Sequence, residues 1–238
     1  MSALRWEALK PGGLRFVWGG GQFRPGLDSF LLSSLPKLKP GLRVCDLGCG
    51  TGLLSLLLLQ RQPALTVTGL DIQEEAVRLA ALAALENGLT DRLRFCLGDL
   101  REAPLPAGDY DLVVCNPPYF PPNSGPPPKG EARRTARTEQ DCTLEDVCGA
   151  ASRLLRWGGA LCLVHKPERL ADLFCALRPA GLEPKRLRLV SPRPEAAPSL
   201  VLLEARRGGK PGLTIPPPLI LERNGAPTEE LNRIYFRT

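Results

Sequence analysis

At 238 residues the chain is long enough for one complete α/β domain with decorations and too short for two domains plus a linker. Hydrophobic residues at 43% and charged residues at 24% exclude an intrinsically disordered or fibrous chain. The net charge of +6, with a sequence pI near 9.0, is compatible with a polyanionic partner such as RNA without requiring one.

The segment from Met1 to about Lys39 is punctuated by Gly and Pro, carries Trp6, Phe16, Trp18 and Phe23, and reads as a loop-like lid. A short apolar helix follows Pro25-Gly26, from Leu27 to Leu35, with Asp28 or Ser29 as its expected cap. Leu42 to Leu47 is a short buried strand that runs into Gly48-Cys49-Gly50-Thr51-Gly52 and then into Leu53 to Leu59, a helix apolar all round. Leu65 to Ile72 is the next strand, ending on Asp71, and Gln73 to Glu86 is a helix that stops at Asn87-Gly88. Leu93 to Leu97 is a third strand, with Gly98-Asp99-Leu100 beyond it, and Tyr110 to Cys115 a fourth, ending at Asn116.

Thr143-Leu144-Glu145-Asp146 is a capping signature for a helix running to Trp157-Gly158-Gly159. Ala160 to His165 is a fifth strand, and Glu168 to Leu177 a helix closed by Pro179-Ala180-Gly181. Lys185 to Val190 and Leu200 to Ala205 are two last strands whose proline-rich connection is too poor in helical pattern for a crossover, so they are expected as an antiparallel hairpin. Repeated strand-helix alternation predicts a doubly wound, mostly parallel seven-stranded α/β sheet of Rossmann-like type with that hairpin at its end. The expected organisation is residues 1–39 as N-terminal lid and cofactor-proximal loop, 40–207 as the domain, and 208–238 as a Pro-rich tail, either draped over the domain or partly disordered.

Cys45, Cys96, Cys115 and Cys162 lie in strand-like runs and Cys148 and Cys175 in helical patterns, where free cysteine acts as a small buried hydrophobe. His165 is the single histidine and no Cys-x-x-Cys pair occurs, so no metal site is expected. No apolar run is long enough to span a bilayer and no signal peptide is recognisable at Met1; a cytoplasmic, reducing compartment and no membrane association are the expectation.

The unit Asp46-Leu47-Gly48-Cys49-Gly50-Thr51-Gly52 offers bare backbone where a ligand must approach closely. It departs from the dinucleotide fingerprint, because Leu53 occupies the third glycine position counted from Gly48. S-adenosylmethionine carries no phosphate, and its ammonium and sulfonium suit a carboxylate such as Asp46. Asp71, at the end of the second strand, is placed for both ribose hydroxyls, with Ile72 beside it, and Asp99, with Leu100, for the adenine amino group. Three acids on consecutive strand ends mark the crevice where open α/β sheets bind ligands.

The second unit is Asn116-Pro117-Pro118-Tyr119. An aromatic amino group is a poor nucleophile, since its lone pair is delocalised. Two acceptors aimed at its hydrogens, the Asn116 side-chain carbonyl and the Pro117 backbone carbonyl, favour a pyramidal nitrogen aimed at a methyl group, with the prolines fixing the turn. Tyr119 and Phe120 can stack on an extruded base. The long aperiodic stretch from Phe120 to Asp141 carries Lys129, Arg133, Arg134 and Arg137, cations suited to phosphates beside the target. Lys185, Arg186, Arg188, Arg206, Arg207 and Lys210 form a second basic group.

Asp46 to Gly52, Asp71, Asp99 and Asn116 to Tyr119, in this order at strand ends, resemble the class I amino-methyltransferases over roughly Leu42 to His165. Phe23 to Ser29, Asn116 to Phe120, His165 to Leu170 and Gly209 to Thr214 are further similar to the bacterial tRNA1(Val) adenine-N6 methyltransferase family, whose modified adenine lies beside the anticodon. The resemblance implies an S-adenosylmethionine-dependent N-methyltransferase acting on tRNA, with Asp28 near the methyl donor. The chain departs from that family at Arg137-Thr138-Glu139, where members often carry histidine before the glutamate. Methylation of ribosomal RNA or DNA, glutamine methylation of a release factor and a silent cofactor-binding partner subunit remain as alternatives.

Overall fold

A computed structural model describes residues 4–19, 26–102, 104–117 and 142–237. Pro118, Tyr119, Phe120, Lys129, Arg133, Arg134 and Arg137 lie outside the described residues, as do Phe23 to Pro25.

The first four core strands are β3 (Arg43–Leu47), β4 (Thr66–Asp71), β5 (Leu93–Leu97) and β6 (Tyr110–Cys115), joined through the helices α2 (Leu53–Arg61) and α3 (Glu74–Glu86). After α4 (Leu144–Leu154) come β7 (Leu155–His165), α5 (Leu170–Leu177), β8 (Leu182–Ser191) and β9 (Leu200–Arg207). With β10 (Leu219–Ile220) they form a sheet of order β10-β8-β9-β7-β6-β3-β4-β5. Every neighbouring pair is parallel except those made by β9, which lies antiparallel between β7 and β8. The expected hairpin is therefore present, and the sheet holds eight strands rather than seven because the tail supplies β10.

Alternation along the strands sorts side chains to the two faces. Val44, Leu112 and Val114 join one core with α2 and α3, whereas Cys45, Leu47, Val113 and Cys115 join the other with α4 and α5. Helix α2 is apolar all round because it is covered on every side: Leu53 to Leu59 are all buried.

Three segments differ from the sequence expectation. The N-terminal segment contains the strands β1 (Arg5–Ala8) and β2 (Arg15–Trp18), an antiparallel hairpin closed by a Leu9 N–H to Leu14 carbonyl bond. It buries Phe16 and Val17 against the α2 and α3 side of the sheet and is pinned by Arg15 N–H to Asn87 Oδ1. Its four-residue strands are too short to declare a period. The helix expected to reach Trp157 ends at Leu154 and passes directly into β7. The tail is folded: after β10 come the small hairpin β11 (Glu222–Arg223) and β12 (Ala226–Pro227), then the helix α6 (Glu229–Ile234). Leu219 and Ile234 join the core, and the Tyr235 ring stacks on Phe30 with centroids 4.3 Å apart.

All eight cysteines are free thiols, and burial raises the pKa of Cys45, Cys115, Cys148 and Cys162. Cys175 is exposed on α5 rather than buried, since it falls on the polar side of that helix. Among the described residues no helix is long and apolar enough to cross a membrane, and no cluster of His, Cys, Asp and Glu could hold a metal.

Candidate active site

The chain runs β3, β4, β5 to one edge and then returns to place β6 on the other side of β3, so the sheet reverses direction between β3 and β6. That reversal opens a crevice beyond the carboxyl ends of the strands. Leu47 pairs with Cys115, which puts Gly48 and Asn116 on adjacent strands as the next residue out of each. Leu47 also pairs with Leu70, and Asp71 with Leu97, so Asp71 and Asp99 emerge at the same end. The glycine turn, the three acids and Asn116 share one rim.

The glycine turn is stitched to the end of β4. Gly48 and Cys49 N–H both donate to the Leu70 carbonyl, at 2.8 and 3.1 Å, and Gly50 N–H donates to Asp71 Oδ2 at 2.7 Å. Gly48, Gly50 and Gly52 all have positive φ. A Cβ on Gly48 or Gly50 would meet nothing within 4 Å, so open space lies over them, whereas one on Gly52 would strike the Phe95 ring at 2.7 Å.

The three acids are in different states. Asp46 is 1% exposed; its Oδ2 accepts from Ser55 Oγ at 2.7 Å, and its Oδ1 is buried with no hydrogen-bond partner. Burial pushes its pKa up to about 7, opposed by the Ser55 bond and reinforced by the charge of Asp71. Asp71 accepts backbone N–H groups on both oxygens, from Gly50 and from Gln73 at 2.9 Å, and burial still raises its pKa. Asp99 pairs with the Arg101 guanidinium at 2.5 Å, which lowers its pKa. Ile72 is an exposed apolar side chain, half its surface open, at the end of β4, and Leu100 begins a 3₁₀ turn after Asp99.

Asn116 is met from above by helix α1 (Leu27–Ser33): Asn116 Nδ2 donates to Ser29 Oγ at 3.2 Å. Asp28 lies one residue earlier in the first turn of α1, whose cap is Gly26, so neither Asp28 nor Ser29 caps it. Ser29 is legible in the sequence only as a candidate cap and as the end of the Phe23 to Ser29 stretch, and Ser55 gives no functional signal of its own. A lone serine inside the otherwise apolar Leu53 to Leu59 is the feature by which Ser55 could have been found.

His165 closes β7, buried, its Nδ1 accepting from Lys166 N–H at 2.9 Å; burial lowers its pKa to about 4. Five of the six side chains in the second basic group, all but Lys210, are engaged within the fold. Arg186 pairs with Glu204 and also donates to the Leu35 carbonyl, Arg188 pairs with Glu230, and Lys185 Nζ donates to the Lys210 carbonyl. Arg206 and Arg207 donate to the carbonyls of Gly158 and Leu155.

The structure tests whether this rim suits S-adenosylmethionine. A buried carboxylate oxygen without a donor, beside a glycine cradle with open space above it, fits a cationic, phosphate-free ligand. Comparison with known proteins agrees. The family described as "Methyltransferase domain" matches residues 38–180. A tRNA1(Val) (adenine(37)-N6)-methyltransferase of Porphyromonas gingivalis is 33% identical over 195 residues, covering 79% of this chain and 76% of the relative. A protein of the same name from Tolumonas auensis is 32% identical over 181 residues, covering 75% of this chain and 74% of the relative. In one from Yersinia enterocolitica the match spans 58% of this chain and 55% of the relative, at 32% identity.

Among solved structures, a predicted O-methyltransferase from Agrobacterium tumefaciens superposes with a TM-score of 0.74 at 24% identity, covering 89% of this chain and 96% of that one, which bears on the fold alone. TrmN from Thermus thermophilus gives 0.55 at 25% identity, over 75% of this chain and 48% of that one. With a class I sheet, a methyltransferase domain matched over residues 38–180 and relatives of one name across most of its length, the chain is an S-adenosylmethionine-dependent methyltransferase that belongs to the tRNA1(Val) (adenine(37)-N6)-methyltransferase family.

Proposed function

We propose that this enzyme methylates N6 of an adenine in tRNA, near the anticodon. The observation that carries the reading is the Leu47 to Cys115 register, which sets Asn116 beside the glycine turn. When bound, S-adenosylmethionine supplies a methyl group made electrophilic by its sulfonium. Asp28, Asp46 and the backbone at Gly48, Gly50 and Gly52 hold its amino-acid end, and Asp71 takes the ribose hydroxyls on lone pairs left beyond its two N–H bonds. Ile72 and Leu100 flank the adenine, and Asp99 accepts its amino group once Arg101 yields the carboxylate. Asn116 lies against both the cofactor and the substrate.

The Asn116 side-chain oxygen and the Pro117 carbonyl accept the two hydrogens of the target amino group, which localises its lone pair. Tyr119 and Phe120 stack on the base, and Lys129, Arg133, Arg134 and Arg137 meet phosphates. Proton loss follows methyl transfer, from a nitrogen that has become cationic and acidic, so no base of pKa near 7 is needed. His165, neutral down to about pH 4, does not supply one. Catalysis then rests on holding the nitrogen in line with the methyl group.

The test is transfer of labelled methyl from S-adenosylmethionine to tRNA, ribosomal RNA and a release factor, with nucleosides read by mass spectrometry. N6-methyladenine in tRNA is the expected product. Asn116→Ala should lower turnover about a hundredfold or more while still binding cofactor. Label only in protein, or only in ribosomal RNA, overturns the tRNA reading; cofactor binding with no transfer to any pool makes the chain a silent partner.

A further inference from the structure

We propose that Ser29 is a positioning residue for the Asn116 carboxamide, anchoring its nitrogen arm against α1. The inference rests on the reading that Asn116 accepts from a substrate amino nitrogen. A planar carboxamide carries an acceptor on one arm and a donor on the other, and a half-turn about its last bond exchanges them. The two orientations have opposite chemical meaning. With the oxygen forward, the amide takes a hydrogen from the target nitrogen; with the nitrogen forward, two N–H groups face the N–H groups of the substrate and repel them.

Sterically the two orientations are nearly alike, and a serine hydroxyl, donor and acceptor both, can bond either arm, so what Ser29 fixes is where the amide lies. Asn116 Nδ2 donates to Ser29 Oγ at 3.2 Å, across 87 residues of chain. With the nitrogen arm turned to α1, the oxygen arm points away from it. Ser29 is 9% exposed, which shields this bond from competing water.

The serine is itself held in place. The residues that follow it, Phe30, Leu31 and Leu32, anchor α1. Phe30 lies flat under the Tyr235 ring, 8° from parallel, and Leu31 and Leu32 are wholly buried. At the far end of the helix, Ser33 Oγ accepts from Arg61 Nε at 2.9 Å. Helix α1 is thus fixed against α2 and the C-terminal tail, and it offers Asn116 a stationary partner. A stationary partner is what a near-attack geometry requires, because a small misplacement of the accepting oxygen is enough to lose the lone-pair alignment.

The experiment measures kcat and KM for tRNA, with cofactor affinity by calorimetry, in the full-length chain and in Ser29→Ala, Ser29→Thr and Asn116→Ala. Ser29→Ala should lower kcat about tenfold or more, with KM and cofactor affinity within about twofold of the parent. Ser29→Thr keeps the hydroxyl and should recover most of the loss. Should Ser29→Ala fail to fold, Ser29→Cys, of similar volume but a poor acceptor, carries the same expectation.

An unchanged kcat in Ser29→Ala, alongside a large loss in Asn116→Ala, overturns the Ser29 role and leaves the reading of Asn116 standing. Equal losses in the Ala and Thr variants overturn it too, since the hydroxyl would not be the cause. A fall in cofactor affinity matching the fall in kcat would assign Ser29 to the cofactor instead. Full activity in Asn116→Ala overturns the role of Asn116 and that of Ser29 with it.

Discussion

Three carboxylates stand on one rim in three electrostatic states, and burial and bonding partners, not residue type, separate them. Asp99 has a guanidinium partner, Asp71 has backbone N–H groups, and Asp46 has one serine hydroxyl and an orphaned oxygen. The pKa of Asp46, raised to about 7, lies well above the ordinary 3.8, so the folded chain holds a proton there through mildly acidic pH. Its contribution to stability is fully present below pH 3.8 and is lost as pH rises through about 7. A cationic ligand prefers the ionised form, so its binding displaces that proton. Cofactor affinity measured by calorimetry should therefore be about tenfold weaker at pH 6 than at pH 8, with proton release on binding, and Asp46→Asn should flatten the profile.

At the scale of elements, the N-terminus of α4 is the clearest case of a local signal that also governs stability. Thr143 and Asp146 bond reciprocally, Asp146 N–H to Thr143 Oγ1 at 3.2 Å and Thr143 N–H to Asp146 Oδ2 at 2.9 Å. Thr143→Ala should cost about 0.5–2 kcal/mol in urea unfolding, with cofactor affinity unchanged, because the cap orders the helix and not the glycine turn. The turn obeys a different constraint. Gly52 is fixed both by its positive φ and by the Phe95 ring beneath it, whereas Gly48 and Gly50 face open space. A sequence can present all three as glycine, yet only packing tells which one seats the strand against its neighbour and which ones leave room.

For the whole molecule, the tail and the N-terminal segment close one side of the sheet. β10 extends the sheet edge, Ile234 enters the core beside α2, and Arg188 pairs with Glu230 across 42 residues. Much of the second basic group is spent in this way, on latches that hold tail and edge strands together. Deleting residues 216–238 removes Leu219 and Ile234, two buried apolar side chains worth about 1.5–3 kcal/mol each, and uncovers the core they pack on. It should lower the midpoint of thermal unfolding and weaken turnover more than cofactor binding, since Phe30 would lose Tyr235 and α1 its brace. Retained stability and full turnover in the truncated chain would show the tail to be ornamental.

The sequence by itself determined the alternation of strands and helices, the strand-end acids, the glycine turn and the position of Asn116 at the end of β6. These are local or periodic features: a buried strand reads as an apolar run, a turn as glycine, a cap as Thr-x-x-Asp. The tertiary structure alone decided the pairing of Leu47 with Cys115, the parallel addition of β10, the N-terminal hairpin and the contact between Ser29 and Asn116. Each of these depends on which distant segments share a face of the sheet, and residues 29 and 116 carry no mark of one another until α1 is laid against the strand ends. The register between β3 and β6 is set by packing on both faces of a buried sheet, and that register brings the glycine turn next to Asn116.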